Sequence, residues 1–119
     1  MNPLPFINSP ILDLVRQLPK DDIMWLEGDR NYTYIHFCNG GKMIFSKTLQ
    51  LIEAQLPNDD FSRINKGATV NLRFIKTINL RQKHLQLSCG LTLPISRRRL
   101  PSLRRWWRGN QSRQLISTL

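Results

Sequence analysis

The chain has 119 residues and 40% of them are apolar, which suits one domain with a single buried core and excludes a disordered polycation. Its net charge of +10 is unevenly distributed: residues 1–60 carry five basic and eight acidic side chains, whereas residues 61–119 carry thirteen basic and no acidic ones. A folded protein with such a basic face attracts phosphates, so nucleic acid is the expected partner and an anionic membrane surface the second.

The sequence contains no signal for membrane insertion, export or metal binding. No apolar run approaches the roughly 20 residues needed to span a bilayer, and the first residues lack the regions of a signal peptide. The two cysteines, Cys38 and Cys89, lie in apolar, strand-like runs without His or acidic residues at ligand spacing. We therefore expect two buried free thiols in a reducing cytoplasm.

The N-terminal segment is predicted to be an arm that contains one short helix. Apolar side chains recur at helical spacing over residues 10–18, and Ser9 followed by Pro10 suits an N-cap and a first helical residue. Because so short a helix is not stable alone, it must pack on its own domain or on a second copy of the chain. The first arrangement is the favoured one.

Residues 21–95 alternate between apolar runs and turn signals in the manner of a β-rich domain. The predicted strands are 23–26, 32–37, 42–45, 61–64, 68–72, 74–80, 84–89 and 91–95, with one helix at 48–56. Polar residues 27–31 predict the first turn, and Asn39-Gly40-Gly41 predicts a hairpin that completes a three-stranded meander. Ser46 is a candidate cap for the helix, and Pro94 places the last strand at an edge or at its own end.

The C-terminal run, residues 96–108, contains six arginines in thirteen residues. Its apolar side chains Leu100, Leu103, Trp106 and Trp107 fall on one helical face, with arginines elsewhere. Pro101 limits how much of this run forms regular helix, so a short C-terminal helix is predicted. Residues 109–119 are weakly patterned and are interpreted as a tail.

Catalysis is not predicted, because titratable groups do not converge in any motif. His36 and His84 lie in strand patterns without a nearby Ser or Cys nucleophile, and the second half has no carboxylate to act as a base or a metal ligand. We therefore expect neither an enzyme nor a bound cofactor or metal.

Polar, mostly basic tips follow the predicted strands at residues 29–31, 65–67 and 96–98. The side chains suited to bases are Arg97, which matches guanine, and Asn31 and Asn65, which match adenine. The side chains suited to phosphates are Arg63, Lys66 and Arg98. Each tip has a second interpretation as a solvated turn, which is favoured for Arg30 taken alone.

A series of short motifs runs in fixed order through most of the chain. In chain order they are Ile23-Met24-Trp25-Leu26-Glu27-Gly28, Asn31-Tyr32-Thr33-Tyr34-Ile35-His36-Phe37, Thr48-Leu49, Leu56-Pro57, Phe61-Ser62-Arg63-Ile64, Val70-Asn71, Ile75 and Leu93-Pro94-Ile95-Ser96-Arg97-Arg98. The most telling are Phe-x-Arg-Ile, Val-Asn and Ile-Ser-Arg-Arg. Over residues 20–107 the series resembles the LytTR DNA-binding domain of bacterial response regulators, the LytR/AlgR class.

This resemblance implies a mainly β fold with helices: small antiparallel sheets of about eight to ten short strands in an elongated arrangement, with one internal helix. It divides the chain into an N-terminal arm at 1–20, a DNA-binding domain at 21–108 and a tail at 109–119. It also implies a cytoplasmic regulator that reads promoter repeats in double-stranded DNA through loops entering successive major grooves.

The loops of the family map onto three places in this chain. The first corresponds to Arg30 and Asn31, the second to Asn65 and Lys66, and the third to Arg97. The second loop differs from the family, which often has His, then Arg, Lys or Asn, then Ser at these positions.

Regulation is the other point at which the chain differs from the family. Members usually carry a receiver or membrane sensor domain before the DNA-binding one, and about 21 residues precede it here. We therefore expect control by expression, by a protein partner, or by homodimerisation through residues 1–20 or the Trp106-Trp107 end.

Two other functions remain open from the residues alone. Tyr32, Tyr34 and Phe74 would stack on bases if the domain bound RNA or single strands, although alternating aromatics equally suit cross-strand packing. Residues 104–108 would serve an anionic membrane or a protein partner.

Overall fold

A computed structural model describes residues 9–118, with side chains for residues 9–110, so residues 1–8 of the predicted arm and Leu119 of the predicted tail lie outside the described residues. The chain divides into two units, one ending at Phe74 and the other beginning at Ile75. The first contains α1 (Pro10–Gln17), β1 (Ile23–Asp29), β2 (Tyr32–Phe37), β3 (Lys42–Phe45), α2 (Leu49–Glu53), β4 (Phe61–Asn65) and β5 (Ala68–Asn71). The second contains β6 (Ile75–Asn79), β7 (His84–Leu87), β8 (Thr92–Pro94) and α3 (Leu100–Thr118).

The prediction of a mainly β fold is confirmed. The described residues form eight strands in two antiparallel sheets and three α-helices, of which α2 is the internal one. The predicted meander is confirmed as β1–β2–β3, and the predicted strand–turn–strand at residues 61–71 as β4 and β5.

The sheet of the first unit has the order β3-β2-β1-β5-β4, so β1 lies at its centre. Side chains from β1, β2, β3 and β4 pack with α1 and α2 in one buried core cluster, which contains Leu12, Val15, Ile23, Leu26, Ile35, Phe45, Leu49, Ile52, Leu56 and Phe61. Gly28 allows α2 to lie this close, because a β-carbon at that position would be 2.9 Å from Cβ of Leu49. Apolar burial at the helical and strand periods therefore fixes both helices on one face of the sheet.

Asn71 secures the start of the central strand. Its side chain is 1% exposed, its Nδ2 donates to the carbonyl of Ile23 at 2.8 Å, and its Oδ1 accepts from the backbone N–H of Arg73 at 3.0 Å. A buried amide with both ends paired is stabilising, whereas the same group unpaired would be costly. The Val-Asn motif thus has a structural role in this fold.

The second unit is a three-stranded sheet, β6-β7-β8, followed by α3. Its buried apolar residues are Leu85, Leu87, Leu93, Ile95, Leu100 and Leu103. Pro94 ends the edge strand β8, as predicted, because a residue without an N–H cannot extend the ladder.

Three predicted boundaries in the first unit were wrong. The first turn is shorter than residues 27–31, because β1 continues through Asp29 and pairs there with Tyr32 of β2. The N-cap of α2 is Thr48 and not Ser46: the Thr48 Oγ1 accepts from the N–H of Leu51 at 3.4 Å. The helix itself is Leu49–Glu53, shorter than residues 48–56.

The predicted burial of both cysteines was also wrong. Cys38 and Cys89 are exposed free thiols, because β2 ends at Phe37 and β7 at Leu87 and each cysteine falls in the following hairpin turn. Cys38 follows the last residue of β2 directly and Cys89 follows the last residue of β7 by two positions, so closeness to a strand in the sequence did not imply burial.

The C-terminal helix is longer than predicted, since α3 has 19 residues. Pro101 lies in its first turn, where the missing backbone N–H has no intrahelical partner to lose, so the proline does not interrupt the helix. Within the described part of the chain, no helix combines the length and apolarity that crossing a bilayer requires.

Candidate nucleic-acid interface

Two turns of the first unit lie side by side at one end of its sheet. One joins β1 to β2 through Arg30 and Asn31, and the other joins β4 to β5 through Lys66 and Gly67. Because β1 pairs antiparallel with both β2 and β5, its C-terminal end meets both turns. The backbone N–H of Gly28 donates to the carbonyl of Gly67 at 2.9 Å and joins the turns directly.

A basic depression lies between these turns and the start of α2, with a volume of about 360 Å³. Its lining residues are Gly28, Arg30, Thr48, Leu49, Gln50, Arg63, Lys66 and Gly67. Three of them are basic and none is acidic. The depression therefore offers positive charge and backbone at the surface where a phosphate group could approach.

Arg30 and Asn31 are both exposed at the tip of the first turn. Arg30 has φ 57°, in the left-handed region that a residue with a β-carbon rarely adopts. Because the β1–β2 ladder continues to Asp29, the connection has only two residues. A two-residue connection between antiparallel strands requires a positive φ, which explains the conformation of Arg30.

The second turn is held from inside by Arg63. Its Nε donates to the carbonyl of Asn65 at 3.0 Å, one terminal nitrogen donates to the carbonyl of Lys66 at 3.1 Å, and the other donates to Oε1 of Glu53 at 3.2 Å. The Arg63 side chain is only 19% exposed. Its guanidinium is therefore occupied by the turn and by α2.

Asn65 also serves the turn itself. Its Oδ1 accepts from the N–H of Gly67 at 2.8 Å, the pattern of an Asx turn, and the residue is half-buried. Lys66 is different, because it is exposed at the tip of the turn. Of the residues predicted for the second loop, Lys66 is thus the one displayed to solvent, while Asn65 and Arg63 shape the loop.

Two residues that the sequence analysis did not select complete this arrangement. Glu53, on α2, accepts from Arg63 and also from Oγ1 of Thr69, which lies opposite Arg63 in the β4–β5 ladder. The sequence offered one indication that Arg63 pairs with Glu53. Glu53 is the single acidic residue within the predicted helix, and the half of the chain that contains Arg63 has no acidic residue.

The third predicted tip belongs to the second unit, between β8 and α3. Arg97, Arg98 and Arg99 are all exposed there. The N–H of Arg99 donates to the carbonyl of Ser96 at 3.0 Å, and the N–H of Ile95 donates to the carbonyl of Lys83 at 2.8 Å, which defines the bend before the helix. The N-terminal end of an α-helix carries partial positive charge, so helix and arginines reinforce one positive potential.

The structure thus divides the predicted site residues into two groups. Arg30, Asn31, Arg63, Asn65 and Lys66 lie at one end of the first sheet, and Arg97 and Arg98 lie in the second unit. Their part in DNA binding stays a prediction.

Three ring side chains of the first sheet, Trp25, Tyr34 and His36, pack against one another. Trp25 and His36 stack with ring centroids 4.5 Å apart, and Tyr34 lies 6.4 Å from His36. Nζ of Lys42 lies 5.3 Å from the centroid of the Tyr34 ring, and Nε2 of His36 is 2.9 Å from Oε1 of Glu27. This is the cross-strand packing that the alternating pattern allows.

The described residues contain no group of three or more His, Cys, Asp or Glu side chains arranged to hold a metal ion.

Comparison with known proteins assigns the family. The model of the LytTr DNA-binding domain family matches residues 13–108, most of the chain. A solved structure described as the LytTr DNA-binding domain of a methyl-accepting/DNA response regulator from Bacillus cereus is 26% identical, with a TM-score of 0.66 over 74% of this chain and 83% of that one. A search of curated proteins gave no match. The chain therefore belongs to the LytTR family of DNA-binding domains.

Proposed function

We propose that this protein is a transcriptional regulator that binds double-stranded DNA in a sequence-specific manner through its turns. The observation that carries the proposal is the pairing of two exposed turns at one sheet end around a basic depression, in a chain of a DNA-binding family. Paired turns on a rigid sheet suit duplex recognition, because a groove presents base edges and phosphates at fixed spacing.

The exposed residues of the tips carry the proposed contacts. Arg30 and Lys66 would bind phosphates beside the depression, and Asn31 would pair with a base edge in the major groove. In the second unit, Arg97 would donate both terminal nitrogens to a guanine, and Arg98 would bind a phosphate.

The remaining two predicted residues have a different role in this proposal. Arg63 and Asn65 donate to and accept from the turn that presents Lys66, so they act by holding that turn in shape. The geometry supports positioning for Arg63 better than the phosphate contact that its charge alone suggested.

The proposal extends to the setting of the protein. A regulator of this kind would act on promoter repeats in the cytoplasm, and a homodimer or a regulatory protein would place two domains on neighbouring repeats. A duplex with two repeats would then be bound with a lower apparent Kd than a duplex with one, because the second contact becomes intramolecular.

Selection of bound duplexes from a random pool tests the proposal and yields the cognate sequence. We expect enrichment of one sequence, and binding to it that a single strand of the same sequence does not compete away. The variants Lys66→Ala and Arg97→Ala should each weaken cognate binding, by roughly 1–3 kcal/mol where the contact is to a base.

Lys42→Ala is the matched control. Lys42 is also exposed and lies in the first sheet, but it pairs with His36 next to the hairpin at the opposite end from the two turns. The Lys42→Ala variant should bind the cognate duplex with the affinity of the parent protein. Equal binding by all three variants, or tighter binding to single strands than to duplex, would contradict the proposal.

A further inference from the structure

The first turns of α3 carry an exposed row of arginines. Arg104, Arg105 and Arg108, here called the arginine strip, are all exposed. At about 100° per residue they fall within an arc of about 100° on the helix surface. The apolar residues of the same turns, Leu100, Leu103, Trp106 and Trp107, occupy another side of the helix.

The apolar side of these helical turns is buried or half-buried within the protein. Leu100 and Leu103 are 8% and 2% exposed, and both tryptophans are half-buried, with ring centroids 6.1 Å apart. Nδ2 of Asn110 donates to the carbonyl of Trp106 at 3.0 Å and extends this ordered stretch. The strip is therefore presented on a helix whose opposite side is packed.

The part of the sequence that contains the strip is strongly basic. Residues 75–119 contain ten basic side chains and no Asp or Glu. Like charges on one helix face repel each other, and that repulsion is relieved when an anion binds. The arrangement thus favours a polyanion over a small neutral ligand.

We propose that the arginine strip is a second DNA contact, one that binds phosphates of the duplex backbone and does not read bases. This inference rests on the proposed function, since DNA must be the partner. Guanidinium groups bind phosphate through paired N–H donors, and each contact releases counterions whatever the base sequence. The strip would add affinity and salt dependence, while the tips of the strands would supply selectivity.

The packing of α3 favours DNA over a lipid surface as the source of the phosphate groups. A helix that lies in a membrane interface inserts its apolar side among the acyl chains. Over residues 100–110 of α3, the apolar side chains are buried or half-buried, whereas Arg104, Arg105 and Arg108 are exposed. Exposed arginines are sufficient to contact a duplex, because the phosphates of a duplex lie on its surface.

The test is the salt dependence of binding by full-length protein in which Arg104, Arg105 and Arg108 are all changed to Gln. Gln is a good helix former, so α3 should be retained, which circular dichroism checks. Two duplexes of equal length serve as probes: the sequence selected from a random pool and a scrambled version.

We expect the triple variant to bind both duplexes more weakly by the same factor, at least tenfold near 0.1 M salt. The slope of log K against log salt should become shallower by about 0.9 for each phosphate that the variant no longer binds. The ratio of the two affinities should not change. A triple Arg→Lys variant should keep most of the slope, because it keeps the charge.

Three results would overturn the proposal: an unchanged slope, a weakening confined to the selected duplex, or unchanged duplex binding with abolished binding to phosphatidylserine vesicles. Failure of the proposed function is distinguishable, because the parent protein would then bind selected and scrambled duplexes equally. If the parent protein prefers the selected duplex and the triple variant has an unchanged slope, the proposal for the arginine strip is wrong and the proposed function stands.

Discussion

Replacing Arg63 by Ala separates a positioning residue from a phosphate contact. The change removes three donors: two to the carbonyls of Asn65 and Lys66, and one to the carboxylate of Glu53. A charged donor contributes roughly 1.5–3 kcal/mol per hydrogen bond when the pair is shielded from water. Solvent screening reduces this figure, because the carbonyl of Lys66 is exposed and the Glu53 side chain is 30% exposed.

The expected decrease is therefore about 2–3 kcal/mol in the free energy of unfolding. In a domain of this size that lowers the melting temperature by about 10 °C. Once released, the turn must be ordered again on binding, at about 1–2 kcal/mol for each residue fixed, so cognate affinity should fall about 10- to 100-fold. The slope of log K against log salt should stay as in the parent, since the guanidinium faces the turn.

The two quantities are measured by thermal unfolding and by mobility shift at several salt concentrations. Lys66→Ala is the matched comparison, because it should show the opposite result: an unchanged melting temperature and a slope shallower by about 0.9. An Arg63→Ala protein with the melting temperature of the parent and a shallower slope would refute the positioning role and restore the phosphate contact.

Three further predictions concern the fold. Asn71→Ala should lower the free energy of unfolding by about 2 kcal/mol in denaturant titration, because it leaves the buried carbonyl of Ile23 without its donor; a decrease below about 0.5 kcal/mol would contradict the role given to Asn71. Gly28→Ala should destabilise by about 1–3 kcal/mol through the clash with α2 and should also weaken duplex binding; wild-type stability would show that the helix moves freely. Cys38 and Cys89 should both react with a thiol reagent in the native protein without prior unfolding, and protection of either would mean that its turn is buried.

Most elements could be predicted because their signals are local. Strands β2 and β3 follow from period-2 alternation around Asn39-Gly40-Gly41, which favours a hairpin whatever lies elsewhere in the chain. The end of β1 could not be predicted, since polar Glu27 and Asp29 look like a turn. Pairing with neighbouring strands keeps them in β1: Glu27 pairs with Tyr34 of β2 and Ala68 of β5, and Asp29 pairs with Tyr32 of β2.

The candidate site was harder to predict, because a side chain's partners depend on register and packing. The charge of Arg63 indicated a phosphate ligand, but its acidic partner, Glu53, lies on a helix ten residues earlier. Only the packing of α2 on the sheet, and the pairing of Arg63 with Thr69, bring these groups together. The exposure of Lys66 follows from the sequence more directly, because a two-residue turn exposes its tip.

The strand order also sets the distance between the two turns of the first unit. The first turn lies between β2 and β1 and the second between β5 and β4, so their centres are two strand spacings apart. At about 4.8 Å per spacing this is about 10 Å, or roughly three base-pair steps of 3.4 Å. In the proposed complex both turns would thus fit one groove, which is about 12 Å wide, so the family's entry of loops into successive grooves would not apply to this pair. Their joint footprint would be a short block of adjacent base pairs, so inserting one base pair within that block should impair binding as much as changing its sequence.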